Sequence, residues 1–586
     1  MSVRPGSGRQ RGAGKAAREA RQPRPRGRFN LRGRLALVGG ALGLCSLALV
    51  GRAVDLQLID NDFYRQQGDA RFLREIPIPT SRGMITDRNG EPLAVSSPVE
   101  SIWGNPQELL KHPDRLPELA AALGVPADEL TRKLGQRSDK EFMYLRRRMN
   151  PDQARAILAL DIPGVFSQRE FRRFYPQGEA LAHVLGFTNV DDRGQEGIEL
   201  AFDDWLRGEP GAKKVIRDRR GRIVENVDLV RPAQPGHDLT LSIDRRIQYL
   251  TYRELKRAVA ETGASSASAV VLDVATGEVL AMANVPSYNP NAVDGSHREA
   301  RRNRAVTDVI EPGSTMKPVT VAAALSAGVV TPDTLIDTNP GWMPNGRFTT
   351  TDTRNHGVLS VTGVITKSSN VGAAKIAHML PDRQYYDFVR RFGFGEEPGS
   401  GFPGESAGVL PPVDAWYGTT KQTMSYGYGM SATPLQIAEV YAAFANGGRM
   451  IAPTFVKGQR NEPRQVLDPE IAGEVMRMMQ TVTEPGGTAT TAAILGYHVA
   501  GKTGTSRMAS GGGYSRRYVS VFAGVVPVEH PRFSMVVVVS EPDPGRRGYY
   551  GGSVSGPVFH DVMQGALRLM DVPPDDIETW IAEAAQ

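Results

Sequence analysis

The chain has 586 residues, enough for several domains at about 100–200 residues each. Apolar residues make up 40% and charged residues 23%, which excludes a wholly disordered chain, and the single cysteine, Cys45, excludes an intrachain disulfide or a thiolate metal centre. The net charge of +6 is uneven: residues 1–34 carry eleven Lys/Arg and one acid, Glu19, so the basic pI belongs to a tail and implies no nucleic-acid partner.

That tail is rich in Gly, Pro and Arg and is predicted to be disordered. It leads into the uncharged run Leu35–Gly51, bounded by Arg34 and Arg52. The run is near the lower limit of about 17 residues for a bilayer span, and Arg52 can extend it by snorkelling. The positive-inside rule makes 35–52 a transmembrane signal anchor, keeps residues 1–34 in the cytoplasm and sends the rest across. Cys45 lies inside the run as a small hydrophobe, and Leu44 stands where lipoprotein processing would need a small residue.

Residues 53–66 read as a helix continuing from the span. Residues 82–96 read as strand, Asn89-Gly90 turn and strand. Residues 105–160 carry helical periodicity, and 171–206 mix short strands with the turn-rich Asp191–Gly194. Two prolines and a glycine in Arg231–Gly236 mark a domain boundary. A strand at Leu239–Ile243, a helix over 244–262 and a hairpin of Ser268–Asp273 with Glu278–Met282 follow. From 314 to about 450 the pattern is mainly helical. From 498 strands return, including Tyr518–Val526 and Phe533–Val539, and a last helix covers about 557–570. Strands, then helices, then strands predict a multidomain α+β chain whose larger domain has an antiparallel sheet flanked by helices.

Three motifs stand in order: Ser314-Thr-Met-Lys317, Ser368-Ser-Asn370 and Lys502-Thr-Gly504. Each alone is weak: S-x-x-K occurs by chance, a serine before a helix is ordinarily an N-cap, and S-x-N and K-T-G read as a polar loop and a strand end. The ordered triple is specific. Ser314 follows the turn Glu311-Pro-Gly313 and precedes an apolar helix, where free backbone N–H groups can stabilise an oxyanion. The i, i+3 spacing puts Lys317 within reach of Ser314. A serine hydroxyl needs a base, and lysine serves only if its pKa falls from about 10.4; burial and a second cation, Lys502, both push it down. Ser368 can relay a proton, the Asn370 amide can hold a peptide, and Gly504 allows close backbone approach beside the carboxylate-binding groups Thr503 and Thr505.

Gly496-Tyr-His-Val-Ala-Gly501-Lys502-Thr503 also fits the phosphate-loop pattern, but that loop requires a following helix. Gly504–Gly513 is a poor helix former, so the nucleotide reading is rejected. No H-E-x-x-H occurs among the nine histidines, and no metal or other cofactor is expected.

These motifs resemble those of penicillin-binding proteins and serine β-lactamases. Further stretches are similar to class B penicillin-binding proteins, above all the division-specific transpeptidases: Arg82-Gly83 with Asp87–Gly90, Gly197–Leu200 with Arg217-Asp218 and Gly221, Tyr288–Pro290, Arg302–Arg304, and Ser425–Gly429 with Thr433–Gln436. The resemblance implies a pedestal or dimerisation domain over 53–232, a β-lactamase-like transpeptidase domain over 233–575 and a tail over 576–586. It implies Ser314, Lys317, Ser368 and Lys502 as catalytic residues and Asn370, Thr503, Gly504 and Thr505 as substrate-binding ones, with an oxyanion hole from the N–H groups of Ser314 and Thr505. The implied substrates are stem peptides of lipid II-derived peptidoglycan, and the implied inhibitors are β-lactams. Implied partners are divisome proteins, including an FtsW-type glycosyltransferase, at the septal inner membrane with the catalytic domain in the periplasm. An elongation-specific transpeptidase, a β-lactamase or β-lactam sensor, and a non-catalytic scaffold are the alternatives.

Overall fold

The computed structural model describes residues 31–55, 73–217, 223–295, 298–510, 513–578 and 581. Most of the basic tail, the expected helix beyond residue 55, Asp218, Gly221 and most of the last residues lie outside them. The chain forms two compact units, one of residues 1–74 with 215–218 and 222–226, the other of the remainder.

In the first unit the apolar run forms helix α1 (Leu31–Val54). Its 24 residues are longer than the uncharged run at both ends and span about 36 Å, enough for a hydrocarbon core of about 30 Å. Among the described residues it is the one helix long and apolar enough to cross a membrane, and none of its apolar window is buried.

The second unit begins with a sheet centred on β1 (Pro92–Gly104), which pairs antiparallel with β2 (Met143–Met149) and β3 (Val165–Phe174). Short helices at 116–123, 127–135 and 151–158 bury Leu119, Leu123, Leu130, Leu134 and Ile157 with Ile102 and Met149 in a separate core. Strand β2 falls inside the stretch expected to be helical. Its three consecutive arginines hide the buried ends, Met143 and Met149.

The larger sheet contains β4 (Ser266–Asp273), β5 (Val279–Val285), β6 (Ala500–Ser510), β7 (Gly513–Val526) and β8 (Phe533–Ser540), ordered β5-β4-β8-β7-β6. Every pairing is antiparallel. β4 and β5 are buried at every position, so both faces are covered, and their sequences are nearly continuous apolar runs for that reason. Helices α2 (Arg245–Thr262) and α6 (Gly556–Leu569) pack on each other and on the sheet. The Asp244 side chain caps α2 and Gly263, with φ +66°, ends it. Helices α3 (Lys317–Ser326) and α4 (Asn370–His378) lie side by side, and α5 (Pro434–Ala445) packs on β4 and β8 behind a Thr433–Gln436 capping box. Between α3 and α4 the expected helical pattern is broken by two small ladders, Leu335–Asp337 with Val358–Ser360 and Trp342–Asn345 with Phe348–Thr351.

Most of the non-catalytic stretches noted in the sequence meet where the smaller sheet joins the larger domain. Glu199 is fully buried and receives Arg82 Nε and Arg173 Nε, each at 2.6 Å; Arg82 also reaches Asp203 at 2.6 Å. Asn89 Nδ2 donates to Asp244 at 3.1 Å, the Arg245 N–H donates to Asp87 at 3.2 Å, and Arg88 pairs with Glu278 at 3.2 Å. Tyr288 OH donates to the Ala182 carbonyl at 3.0 Å and Asn303 Nδ2 to the His183 carbonyl at 3.4 Å.

Candidate active site

Ser314 lies in a 3₁₀ turn (Gly313–Met316) that runs straight into α3, whose residues Lys317–Leu325 are all buried. Gly313 has φ +57°, a conformation that favours glycine. Its N–H donates to the Gly427 carbonyl at 3.1 Å, and a side chain at Gly427 would strike the Gly313 carbonyl at 2.1 Å. Tyr441 OH on α5 donates to the Thr315 carbonyl at 3.0 Å. The turn is thus fixed from two sides.

Ser368 ends the short helix Val361–Lys367 in the left-handed conformation, φ +60°. For a residue with a β-carbon that conformation costs about 1–2 kcal/mol. It directs both the carbonyl and the hydroxyl of Ser368 at Lys317. Lys317 Nζ lies 2.9 Å from Ser314 Oγ, 2.6 Å from the Ser368 carbonyl, 3.1 Å from Ser368 Oγ and 2.7 Å from Asn370 Oδ1. Lys502 Nζ approaches Ser368 Oγ from the other side at 2.8 Å. The three motifs therefore meet at one hydroxyl.

Both amines are fully buried. Burial, reinforced by the charge of Lys502 and opposed by that of Asp352, holds the Lys317 pKa well below its usual value. Burial lowers Lys502 to about 7.

Lys502, Thr503, Gly504 and Thr505 lie on β6, the edge strand, paired on one side only with β7. Thr503 Oγ1 meets Thr488 Oγ1 at 3.1 Å, and Thr505 Oγ1 accepts the Gly551 N–H at 3.1 Å. A β-carbon on Gly504 would come within 2.9 Å of the Pro312 carbonyl and 3.1 Å of Thr315 Cγ2. Only glycine there lets the strand lie against the Ser314 turn. Beyond Thr505 a cavity of about 420 Å³ opens between Glu311, Gly429, Ser506 and Arg507.

Of the eight sequence-predicted residues, Ser314, Lys317, Ser368, Asn370 and Lys502 are joined by hydrogen bonds and Thr503, Gly504 and Thr505 continue the strand from Lys502, which is not the helix a phosphate loop requires. Sequence reasoning missed Asp352, Thr488 and Gly551, which carry no motif. Among the described residues no group of three or more His, Cys, Asp or Glu could hold a metal ion.

Comparison with known families matches residues 267–564 to the penicillin-binding protein transpeptidase domain and residues 77–241 to the penicillin-binding protein dimerisation domain. The chain belongs to the class B penicillin-binding proteins. This penicillin-binding protein is 45% identical to the peptidoglycan D,D-transpeptidase FtsI of Escherichia coli over 553 residues, covering 93% of both chains. It is 42% identical to the probable peptidoglycan D,D-transpeptidase PbpC of Pseudomonas aeruginosa over 547 residues, 93% of this chain and 96% of that one. Among solved structures, penicillin-binding protein 3 of Mycobacterium tuberculosis in complex with aztreonam superposes with TM-score 0.66 at 28% identity, covering 85% of this chain and 98% of that one. The transpeptidase domain of Burkholderia pseudomallei penicillin-binding protein 3 does so with TM-score 0.52 at 42% identity, covering 57% and 97%.

Proposed function

We propose that Ser314 is the nucleophile through which this peptidoglycan D,D-transpeptidase cross-links stem peptides. The reading is carried by the bonding around Lys317. A neutral amine has two N–H groups and one lone pair. The Ser368 carbonyl and Asn370 Oδ1 accept hydrogen bonds at 2.6 and 2.7 Å and use both N–H groups. The lone pair then accepts from the Ser314 hydroxyl at 2.9 Å, the nearer of two serine oxygens, with Ser368 Oγ at 3.1 Å. Lys317 takes that proton as Ser314 Oγ attacks the carbonyl of the D-Ala–D-Ala bond. The N–H groups of Ser314 and Thr505 receive the oxyanion. Ser368 Oγ, between the two lysines, passes a proton to the departing D-Ala amine, with Lys502 on its far side. An extended peptide pairs with the open edge of β6, its carboxylate at Thr503 and Thr505, while Gly504 lets that strand lie close to the Ser314 turn. Asn370 orients the peptide. The acyl-enzyme is then attacked by an amine of a neighbouring stem, and no cofactor is needed. A β-lactam acylates the same oxygen.

The test is labelling with a fluorescent penicillin. Wild type labels and Ser314→Ala does not; labelling of both would overturn the assignment.

We further read residues 53–232 as the pedestal and 233–575 as the transpeptidase domain, which overlap the two family matches. The basic residues before α1 support a single-pass inner-membrane protein with its catalytic part in the periplasm. The likeness to FtsI supports septal work beside divisome proteins and an FtsW-type glycosyltransferase. Depletion should give filaments; rounded cells would point to elongation.

A further inference from the structure

We infer that Asp352 is a positioning residue for acyl transfer: its carboxylate clamps the Ser368–Asn370 segment onto Lys317 from the end of the Trp342–Thr351 hairpin. The inference rests on the proposed acylation of Ser314.

Asp352 is the first residue after the hairpin strand Phe348–Thr351. Its Oδ1 accepts the Asn370 N–H at 2.5 Å and the Val371 N–H at 3.1 Å. Its Oδ2 accepts the Ser369 hydroxyl at 2.6 Å, and Ser369 Oγ accepts the Gly372 N–H at 2.8 Å. The first N–H groups of α4, which have no partner within the helix, are thereby satisfied by one carboxylate and the serine it holds. A negative charge at a helix N-terminus is favourable in itself. The preceding residue, Thr351, accepts Asn370 Nδ2 at 2.9 Å. Both the main chain and the amide of Asn370 are therefore fixed to the hairpin, and the free oxygen of that amide faces Lys317.

The clamp acts on the left-handed residue next door. Ser368 is tied on its N-terminal side by its own N–H to the Ile365 carbonyl at 3.2 Å. On its C-terminal side the ties are the Ser369 N–H to the Val364 carbonyl at 3.1 Å and the Asp352–Ser369–Asn370 cluster. With that cluster gone, the bond to Val364 is left to hold this side against relaxation of Ser368 to a right-handed or extended backbone. Its carbonyl and hydroxyl would then leave Lys317, and Lys502 would lose its partner.

The carboxylate also acts through charge. The charged and titratable groups facing Lys317 are Lys502 from β6 and Asp352 and His356 from the loop after the hairpin. Lys502 lowers the Lys317 pKa and Asp352 raises it. Removing the negative charge leaves the repulsion from Lys502 unopposed, so Lys317 sheds its proton at lower pH. A residue that only stabilises the loop would not move that titration.

The experiment uses the full chain in detergent and follows the acylation rate with fluorescent penicillin from acid to alkaline pH. Asp352→Asn keeps an oxygen for the two backbone N–H groups and an amide for Ser369, but removes the charge. It is expected to label within a few-fold of wild type at alkaline pH, with the acid limb displaced downward by about half a pH unit or more. Asp352→Ala loses both functions and is expected to acylate about 10–100-fold more slowly with an unchanged number of labelled sites. An acid limb that stays in place in Asp352→Asn, or an Asp352→Ala rate equal to wild type, would overturn the inference. So would loss of the limb in His356→Asn, because the titration would then belong to His356. Should Ser314→Ala still label, the underlying reading fails instead, whatever the Asp352 variants do.

Discussion

Two buried lysines share one serine hydroxyl, and the sign of their pKa shifts fixes how the site responds to pH. Lys317 must be neutral to accept the Ser314 proton, so acylation falls as pH drops through its lowered pKa. In Lys502→Met the neighbouring cation is gone. Lys317 then holds its proton more firmly, and the acid limb of the remaining activity moves to higher pH; a limb that stays or moves down would refute the coupling. The same substitution tests stability. Lys502 has a folded pKa of about 7 and an unfolded one of about 10.4, so between these values the unfolded chain binds more protons and stability rises with pH. Lys502→Met is therefore expected to raise Tm at pH 7, by an amount that shrinks toward pH 10, in differential scanning calorimetry. The Ser314–Lys317 pair was legible because its partners sit one helical turn apart. Asp352 was not, because its contacts lie 17 to 19 positions away across a polar loop with no periodicity.

At the scale of elements the site is a turn laid against an edge strand, and Gly504 sets the separation. Gly504→Ala would push β6 away from the Pro312 carbonyl, 2.9 Å from the added carbon. Acylation should fall by about 100-fold while the melting transition stays near wild type, since misplacement of about 1 Å has that effect on rate. Penicillin labelling at the wild-type rate would show that the contact is dispensable. The sheet strands β4, β5, β7 and β8 were readable as apolar runs bounded by turns, and α2 by its Asp244 cap and Gly263 stop. β2 was not: Met-Tyr-Leu-Arg-Arg-Arg-Met shows neither the strict alternation of a half-exposed strand nor the apolar run of a buried one. The small ladders between 335 and 360 escaped because strands of three or four residues carry too little pattern, although Gly346 in a two-residue loop marks a hairpin.

In the molecule as a whole, the second unit is closed by a charged clasp. Glu199 sits between Arg82 and Arg173 with all three side chains at 0–1% exposure. Glu199→Gln leaves the buried Arg173 guanidinium without its counter-charge and Arg82 with Asp203 alone, and should lower stability by about 3–5 kcal/mol, read as a fall in Tm. An unchanged Tm would mean that the network contributes nothing net. A fragment of residues 233–575 should still label with penicillin but melt lower than the full chain, because Tyr288, Asn303 and Asp244 lose partners at 182, 183 and 89. The resemblance marked these stretches without giving them a physical reason. Most of them supply one side of the join, which spacing along a chain cannot reveal.

That join has a mechanical consequence. Within the second unit, hydrogen bonds and ion pairs bridge it from six residues, 87, 88, 89, 175, 182 and 183, so this stretch is braced and not merely tethered. A load placed on one side of the join is shared among these bonds, so the two sides turn together before any single bond gives.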